Sequence, residues 1–566
     1  MSDAHVVKNT IFGDAAQGSF DHRKYSAPAP VPAFNRTWPD NRITRAPIWV
    51  SEDLRDGNQA LLEPMSVEQK QRLWHLILKI GIKEVMVGFP SASQPDYDFV
   101  RWLIDENQIP EDVTIAVLVQ AREHLIARTF EALQGVHRAI IHIYSSTSTI
   151  QRERVFEKTR DDIKALACQG VTWVCDYAAR YPATDWRIEY SPESFSETEP
   201  EYAVEVCEAV MAIVKPTREK PIIFNLPNTV EVASPNHYAD QIEYFCQNIS
   251  NRDAVVVSVH THNDRGGAVA AAELALLAGA DRVEGTLLGN GERTGNMDIV
   301  TLGMNLYSQG IDPQLDLSNP EEIIRTVSEC TKLIVHPRHP WVGELVYTAF
   351  SGSHQDAIRK SLRNQRPEET WQVAYLPIDP RDIGRNYETV IRVNSQSGKA
   401  GMAFLLERDH GISLPRWMML ELAPIVQKAS EKTTGELSSD DIRALLFKEF
   451  SPEQPYTLEH YRFDREGSTL STRIREGDKV HVLEGQGNGV ISAFVDAWHH
   501  YDSRPLSVTN YSEHAMGSGS DAKAIAFVQL NVDGVSVTGV AEDYDTGAAS
   551  LRAILAAFDR AARQAS

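Results

Sequence analysis

The sequence predicts an α/β protein with a (β/α)8 or TIM barrel, a helical linker region and a C-terminal α+β domain of two βββα repeats. Three observations predict this class. Eight short β-rich runs alternate with amphipathic helical patterns from about residue 46, polar residues gather where several runs end, and the last part of the chain repeats three strands and a helix. A barrel of this kind carries its chemistry in the loops after the strands.

The eight predicted strands lie in residues 46–325, the predicted barrel. They are Ile48–Leu54, Glu84–Phe89, Thr114–Val119, Ala139–Tyr144, Trp186–Tyr190, Ile222–Leu226, Val255–His260 and Arg282–Leu288. Between the first two, Ser66 and Gln69 have the spacing of a capping box before a helical apolar pattern, which predicts a strand-helix-strand unit. Eight such units over about 280 residues fit a closed barrel. A doubly wound open sheet is the structural alternative.

Three further regions flank the barrel. Residues 1–45 are rich in alanine, proline and polar residues and are predicted to form an arm. Residues 326–430 are predicted to be a linker region with joints at proline and glycine, including the segment 394–401. Residues 431–566 contain the repeat. Its predicted elements are Tyr456–Phe463, Thr469–Ile474, Lys479–Leu483 and Gly489–Trp498, then Leu506–Ser512, Ala524–Asn531, Val535–Val540 and Ala548–Phe558.

Composition and charge narrow the function classes. The chain has 566 residues, 42% of them hydrophobic, and a formal charge of −22, which argues against a general binder of nucleic acids or membrane surfaces. No apolar run approaches the roughly 20 residues that span a bilayer, and the first residues lack a basic-then-apolar signal, so a cytoplasmic location is expected. The five cysteines have no CxxC spacing and are expected to be reduced thiols.

The most informative pair is His260 and His262, at the end of the seventh predicted strand. Residues two apart on a strand point to the same face, so both imidazoles should converge at the carboxyl end of the sheet. Parallel α/β proteins place their active sites at this end. For the pair alone, two solvent-facing or hydrogen-bonded histidines are the alternative.

The ends of strands 1, 7 and 8 should meet where a barrel closes, and all three carry polar residues. Strand 1 runs into Arg55 and Asp56, strand 7 into the two histidines, and strand 8 into the glycine-rich segment 289–296. One carboxylate with two imidazoles is a divalent-metal set, which Mg2+ or Mn2+ would complete with water or other oxygens and Zn2+ with fewer ligands. Each feature alone has a structural alternative, namely a turn position for Asp56, a surface ion pair for Arg55 and a tight turn for the glycines.

Four motifs, in this order, give the chain a resemblance to a known family. They are DLRDGNQA at 53–60, NLPNTVE at 225–231, HTHND at 260–264 and GNGERTGN at 289–296. With FNRTWPD before them and SGSHQDAI, YLPIDPRDIGR and NSQSGKAG after them, they resemble the 2-isopropylmalate synthase family over nearly the whole chain. The wider family includes homocitrate and citramalate synthases and hydroxymethylglutaryl-CoA lyases, so the barrel motifs leave the substrate open.

The resemblance implies a Claisen condensation of acetyl-CoA with 3-methyl-2-oxobutanoate and hydrolysis to 2-isopropylmalate and CoA, the committed step of leucine biosynthesis. It also implies a metal site of Asp56, His260 and His262, with Asn296 as a more distant fourth member. Mg2+ is the expected ion, and Mn2+ or Zn2+ are the alternatives. Arg55 would add a fixed positive charge beside the oxygen that becomes an alkoxide.

Four further residues match functional positions of the family. Glu193 and His354 match residues implicated in acid-base work, and the sequence does not assign which removes the acetyl proton and which activates water. His142 and Thr229 match substrate-contacting positions and are expected to hydrogen-bond the oxo-acid carboxylate. The structural alternatives are a helix N-terminal carboxylate for Glu193, a loop hydrogen bond for His354 and backbone partners for the other two.

The resemblance also implies partners. The terminal repeat would be an allosteric domain that binds leucine and gives feedback inhibition. The chain would form an obligate, domain-exchanged homodimer, because His354 lies outside the barrel and must reach the site from the linker region. Other hypotheses are a homocitrate or citramalate synthase, a metal-dependent acyl-CoA lyase and a non-catalytic leucine-binding protein. No nucleic acid or membrane partner is expected.

Overall fold

The structure is a computed structural model that describes residues 25–385, 399–432, 437–451, 456–502, 504–517, 519 and 521–565. Most of the predicted arm, residues 1–24, lies outside the described residues, as does the part 394–398 of the glycine- and serine-rich segment. The chain divides into two compact units, Met1–Gly343 and Glu344–Ser566. Within the described residues, no helix is both long and apolar enough to cross a bilayer.

The first unit contains a closed barrel of eight parallel strands that follow one another in chain order. The strands are β1 (Ile48–Ser51), β2 (Glu84–Gly88), β3 (Thr114–Gln120), β4 (Arg138–Ser146), β5 (Asp185–Glu193), β6 (Ile222–Asn228), β7 (Val255–Thr261) and β8 (Arg282–Gly285). β1 pairs with both β2 and β8, so the sheet closes on itself. The predicted barrel is confirmed, and the doubly wound open sheet is excluded.

A helix follows each strand of the barrel. The helices of the first unit are α1 (Asp56–Gln59), α2 (Val67–Ile80), α3 (Gln94–Asp105), α4 (Glu123–Ala132), α5 (Arg160–Ala179), α6 (Pro200–Val214), α7 (Pro235–Asn248), α8 (Ala268–Leu277), α9 (Ile299–Ser308) and α10 (Pro320–Thr331). The predicted capping box at the start of α2 is present, since the Ser66 N–H donates to Gln69 Oε1 at 2.8 Å and Ser66 Oγ accepts from the Gln69 N–H at 3.3 Å.

The barrel strands form because their side chains are buried on both faces. The five residues of β2 are all buried, which is the pattern expected for parallel strands covered by helices. Inside the barrel, alternate positions supply an apolar cluster of Met86, Ala116, Leu118, Ile140 and Ile223. On the same inner face of β4, β6, β7 and β8 lie polar residues, and these build the site described below.

The second unit contains four helices followed by two βββα repeats. Its elements are α11 (Gly352–Asn364), α12 (Lys399–His410), α13 (Arg416–Lys432), α14 (Ser439–Phe450), β9 (Tyr456–Asp464), β10 (Thr469–Glu476), β11 (Lys479–Gln486), α15 (Val490–Tyr501), β12 (Leu506–Ala515), β13 (Ala524–Val532), β14 (Val535–Asp543) and α16 (Thr546–Ala565). The sheets are antiparallel, with strand orders β11-β10-β9 and β12-β13-β14. The predicted repeat is confirmed.

β13 is buried on both faces, which explains its nearly continuous apolar run. Ala526, Val528 and Leu530 belong to the core that α15 and α16 cover. The intervening residues Ile525 and Phe527 pack in a second core with α12, α13 and α14. The period of two along a strand therefore joins the linker helices to the terminal repeat within this unit.

Candidate active site

A cavity of about 410 Å³ lies at the carboxyl-terminal ends of the barrel strands. Seven of the nine predicted site residues line it, namely Arg55, Asp56, His142, Glu193, Thr229, His260 and His262. They come from β4, β5 and β7 and from the segments that follow β1, β6 and β7, so the barrel brings together residues that are far apart in the sequence.

Asp56, His260 and His262 form a buried cluster with the dimensions of a metal site. Asp56 Oδ2 lies 4.0 Å from Nε2 of each histidine. One ligand atom from each residue falls within 4.8 Å of the others, and all three residues are buried. The two histidines have this geometry because they are two residues apart at the end of β7, with ring centroids 5.0 Å apart.

The two histidines differ in what holds their second ring nitrogen. His260 Nδ1 lies 2.9 Å from Glu284 Oε2, whereas His262 Nδ1 is buried without a hydrogen-bond partner among the described residues. Burial alone would lower the pKa of His260, but the hydrogen bond to Glu284 and the nearby carboxylates raise it overall. Burial and the neighbouring His260 lower the pKa of His262 to about 3, so its imidazole is neutral and keeps a lone pair.

Arg55 and Asp56 follow β1 in the first turn of α1. Arg55 Nη1 donates to Asp56 Oδ1 at 2.7 Å, and Arg55 Nη2 lies 2.6 Å from Glu52 Oε2. Burial would raise the pKa of Asp56, but Arg55, the two histidines and a hydrogen bond from Asn296 hold it well below its usual range. Asp56 is therefore a carboxylate that is ready to bind a cation.

Asn296 lies beside Asp56, as the resemblance implies. Its Nδ2 donates to Asp56 Oδ2 at 2.7 Å and to the Asn290 carbonyl at 3.0 Å. Backbone hydrogen bonds tie its loop to the end of β7, including one from the Asn263 N–H to the Gly295 carbonyl at 3.0 Å. Asn296 Oδ1 is buried with no hydrogen-bond partner in the described part of the chain, so this amide oxygen is free to face a ligand.

His142 and Thr229 line the same cavity, and the side chain of each contacts a neighbouring residue. His142 Nε2 lies 2.7 Å from Ser191 Oγ, and burial lowers the His142 pKa to about 3, so the ring is neutral. Thr229 Oγ1 accepts a hydrogen bond of 3.0 Å from the Ser194 N–H. Because a hydroxyl both accepts and donates, the Thr229 O–H is left to donate into the cavity. The backbone partner considered as the alternative for Thr229 is thus present, and its contact with substrate stays a prediction.

Glu193 is the last residue of β5, so it belongs to the strand and not to a helix start. It accepts a short hydrogen bond from Ser146 Oγ, and its carbonyl accepts from the Thr147 N–H at 3.1 Å. The next residue, Ser194, has a left-handed backbone with φ 59°, which is unusual for serine. This turn separates Glu193 from the chain that continues to α6 and leaves its carboxylate at the cavity wall.

His354 lies in the second unit, in the first turn of α11. It is exposed, and its ring stacks on Tyr375 with 4.0 Å between the centroids and 25° between the planes. The loop hydrogen bond considered from the sequence is replaced by this aromatic contact. Its acid-base role stays a prediction.

The charged residues beneath the cavity were not predicted from the sequence. Arg282 and Glu284 of β8, Glu189 of β5 and Glu84 of β2 are all buried inside the barrel and joined by ion pairs of 2.5 to 3.0 Å. The available signal was the pair Arg282 and Glu284, two residues apart in a strand that is otherwise apolar and small. The cavity lining residues Tyr144, Ser191, Glu292 and Arg293 were also missed.

The residues present fit a divalent ion. Two imidazoles, one ionised carboxylate and a nearby unpaired amide oxygen are a mixed nitrogen and oxygen donor set for such an ion. The closed barrel, with this donor set at the carboxyl ends of its strands, indicates a metal-dependent enzyme.

Three family models match successive parts of the chain. The family model described as HMGL-like matches residues 46–327. The model "Alpha-isopropylmalate synthase, post-catalytic domain-like" matches residues 344–407, and the model "LeuA allosteric (dimerisation) domain" matches residues 436–562. The hydroxymethylglutaryl-CoA lyase of Bacillus subtilis, a solved structure, is 18% identical with a TM-score of 0.41 and covers 52% of this chain and 97% of its own.

Full-length relatives identify the family. The 2-isopropylmalate synthase of Pseudomonas putida (strain W619) is 51% identical over 549 residues, which cover 96% of this chain and 98% of that protein. The 2-isopropylmalate synthase of Rhodospirillum rubrum is 53% identical and covers 94% of this chain and 98% of its own length. The chain belongs to the 2-isopropylmalate synthase family.

Proposed function

We propose that the chain condenses acetyl-CoA with 3-methyl-2-oxobutanoate and hydrolyses the thioester to give 2-isopropylmalate and CoA. It is thus an acyltransferase that converts the acyl group to alkyl on transfer. The observation that carries the proposal is the buried cluster of Asp56, His260 and His262 at the carboxyl ends of the barrel, in a chain 51% identical to named synthases over nearly its full length. The cytoplasmic location stays a prediction.

Asp56, His260 and His262 would hold a divalent ion, with the Asn296 amide as a more distant member. Mg2+ is proposed first because carboxylate, amide and substrate oxygens suit it, and Mn2+ and Zn2+ are the alternatives. When bound, such an ion supplies Lewis acidity toward the keto and carboxylate oxygens of the 2-oxo acid.

The protein groups around the cluster have roles that follow from their chemistry. The Thr229 O–H is free to donate to the oxo-acid carboxylate, and the neutral His142 ring and Ser191 lie on the same wall. Arg55, fixed between Glu52 and Asp56, keeps a positive charge beside the keto oxygen as the new carbon-carbon bond forms. These fixed donors reduce the cost of orienting the acid.

Glu193 and His354 are the proposed acid-base pair. One group takes a proton from the acetyl methyl carbon, and the electrons of the broken C–H bond form the new bond to the keto carbon. The electrons of the keto C=O π bond move to its oxygen, which takes up a proton and becomes the hydroxyl of the product. The other serves the later attack of water on the thioester carbon, which breaks the carbon-sulfur bond and releases CoA. The short hydrogen bond from Ser146 holds the Glu193 carboxylate at the cavity wall.

We further propose that leucine binds between the two terminal repeats. A cavity of about 650 Å³ is lined there by the start of α15, by the apolar residues Val490, Ile491 and Val508, and by Glu513. At the start of α15 the Gly489 N–H donates to Ser492 Oγ at 3.1 Å, and Gly489 itself has no side chain to cap the following amides, which therefore suit the leucine carboxylate. At the start of α16, by contrast, Asp545 Oδ1 already accepts from the Ala548 N–H at 2.7 Å. Glu513 would face the ammonium group.

The assembly is proposed to be a homodimer in which His354 of one chain serves the other, and the match to a dimerisation domain supports it. The domain division proposed is an arm at 1–45, a catalytic barrel at 46–325, linker subdomains at 326–430 and a regulatory domain at 431–566. Light scattering after gel filtration tests the dimer. A monomer that retains full activity would contradict it.

The direct test of function is CoA thiol release from acetyl-CoA with Mg2+ or Mn2+. We expect release with 3-methyl-2-oxobutanoate and inhibition by leucine. Release only with pyruvate or 2-oxoglutarate would mean a citramalate or homocitrate synthase instead. Absence of release with all three acids would contradict the synthase and leave a lyase or a binding protein.

Two variants make this test specific to the cluster. Asp56→Asn removes the ionised carboxylate without changing its size and should reduce release at least about a thousandfold if the cluster carries the chemistry. Asp112→Asn changes an exposed carboxylate paired with Lys83 and should leave release unchanged. Equal activity of the two variants would contradict the assignment of the site.

A further inference from the structure

Glu284 is a buried carboxylate beneath the metal cluster, on the inner face of β8. It is 0% exposed, and side chains from three strands donate to it. Oε1 accepts from Ser258 Oγ at 2.9 Å and from Arg282 Nη1 at 2.5 Å, and Oε2 accepts from Asn225 Nδ2 at 3.0 Å. These three hydrogen bonds fix the plane of the carboxylate before it meets His260.

The remaining contact of Glu284 is directed at one cluster residue only. Its Oε2 lies 2.9 Å from His260 Nδ1, while the corresponding nitrogen of His262 is without a hydrogen-bond partner in the described part of the chain. A carboxylate accepts hydrogen bonds and cannot donate them when ionised, so Nδ1 of His260 must carry the proton. His260 Nε2 is then the atom that faces Asp56 Oδ2, at 4.0 Å.

We infer that Glu284 is a positioning residue that acts through His260. It holds the imidazole in one tautomer and one orientation, so that the Nε2 lone pair points to the space between Asp56 and His262. The inference deepens the proposed function, since it concerns affinity for the divalent ion that the cluster would hold. Partners of this kind to metal-binding histidines typically contribute 10- to 100-fold in metal affinity.

The carboxylate is held by a larger set of charges that keeps it in place. Arg282 Nη1 also donates to Glu189 Oε1 at 3.0 Å, and Arg282 Nε donates to Glu84 Oε2 at 2.7 Å. Arg282 is therefore shared by three carboxylates, of which only Glu284 lies within hydrogen-bond distance of His260. Glu189 is the matched control, since it is equally buried and has the same arginine partner, while its own histidine contact is to His142 Nδ1 at 3.5 Å and not to the cluster.

The first experiment measures Mn2+ binding to the full-length protein by EPR of the free ion, with no substrate present. Glu284→Gln keeps the shape of the side chain and removes its charge, and we expect its Mn2+ dissociation constant to rise by about tenfold. Glu189→Gln should leave the constant within about twofold of the wild type. Equal losses in both variants would overturn the inference, because the effect would then come from the charge set in general.

The second experiment asks whether Glu284 acts through His260. Glu284→Gln is combined with His260→Ala and, separately, with His262→Ala. It should weaken Mn2+ binding further in the His262→Ala background and have no added effect in the His260→Ala background. An added effect in both backgrounds would overturn the inference. The visible spectrum of bound Co2+ should change in Glu284→Gln and not in Glu189→Gln, which a purely structural role does not predict.

If Glu284→Gln does not fold, a second substitution at the same position still tests the inference. Glu284→Asp keeps the charge and withdraws the carboxylate by one methylene, so it should also weaken Mn2+ binding. Wild-type affinity in this variant would show that charge alone is sufficient and would overturn the positioning role. Unchanged Mn2+ affinity in Glu284→Gln overturns the inference without touching the proposed function. If instead the wild-type protein binds Mn2+ as expected but releases no CoA, the proposed function is contradicted and the inference about Glu284 is not.

Discussion

The charged part of the barrel interior and the core of the terminal repeats are both buried, but they are built from opposite chemistry. Beneath the cavity, Arg282, Glu189 and Glu284 are each 0% exposed and held by directional ion pairs. In the terminal repeats the equally buried residues are apolar, such as Phe494 and Leu530. Apolar burial stabilises without direction, whereas hydrogen-bonded charges fix particular atoms. The polar interior therefore determines where the reactive groups point, and the apolar core determines the shape of the fold.

The largest effect on stability is expected for Arg282→Met. Removing the arginine leaves Glu84, Glu189 and Glu284 without their shared counter-charge in a buried space, which should destabilise the barrel by about 3 to 5 kcal/mol. Calorimetry of the full chain should show a lower transition temperature for the barrel and weaker Mn2+ binding.

The matched control for this prediction is Arg187→Met. Arg187 lies 3.7 Å from the same Glu84 but is 38% exposed, so its removal should cost less than about 1 kcal/mol. Similar losses in the two variants would mean that burial of the arginine does not matter, which would contradict the comparison.

The second test creates a cavity in the apolar core of the terminal repeats. Leu530→Ala removes a fully buried side chain from β13 and should destabilise the second unit by about 3 kcal/mol. The expected result is a shift of this unit's calorimetric transition and loss of leucine inhibition, with CoA release retained. Val482→Ala, at a valine that is 64% exposed, should stay within about 0.5 kcal/mol of the wild type. An equal shift of the barrel transition in Leu530→Ala would contradict the separation of the two cores.

The sequence was sufficient for the fold and for the cluster, since strand periodicity and turn residues are local signals. His260, His262 and Asp56 were placed correctly because a parallel barrel collects strand ends at one face. Three barrel strands were predicted too long at their ends, β2 by the single residue Phe89 and β1 and β8 by three residues each. β1 stops at Ser51 because residues 52–55 turn toward α1, and β8 stops at Gly285, before Leu288 takes a left-handed backbone with φ 65°.

The partners of the site residues could not be predicted from the sequence, because they depend on contacts across strands. The contact between Glu284 and His260 joins β8 to β7, and that between His142 and Ser191 joins β4 to β5. A charged residue inside a strand has no local mark that separates an ion-paired interior position from a solvent-facing one. Only closure of the barrel places these side chains next to one another.

A smaller effect is expected for a polar side chain that lines the cavity and lies outside the charged barrel interior. Thr229→Val keeps the shape and removes the hydroxyl that is free to donate, so the KM for the oxo acid should rise about tenfold, and loss of the acceptor for the Ser194 N–H should cost about 1 kcal/mol of stability. Steady-state kinetics measure this. Thr172→Val, on α5 and bonded to the Cys168 carbonyl at 2.8 Å, is the control and should leave KM unchanged. A change in kcat alone would contradict a role in substrate binding.

A pH-dependent effect should come from Asp53, a buried carboxyl in the turn after β1 that bears no ion pair in the described residues. Burial raises its pKa to about 7, although Ser51 Oγ and the Leu287 N–H donate to it. The folded state therefore binds the proton more tightly than the unfolded state, whose carboxyl has a pKa near 3.8. This contribution to stability is fully present below the unfolded pKa and is lost as the pH rises through about 7.

Asp53→Asn mimics the protonated carboxyl and should flatten the pH dependence of barrel stability between about pH 5 and pH 8. Urea midpoints of the barrel transition across this range measure the slope. Asp112→Asn should keep the wild-type slope, because the pKa of the exposed Asp112 carboxyl is lowered and lies below this range. A wild-type slope in Asp53→Asn would mean that this carboxyl is ionised in the folded barrel, and the polar interior would then tolerate a buried charge without a counter-charge.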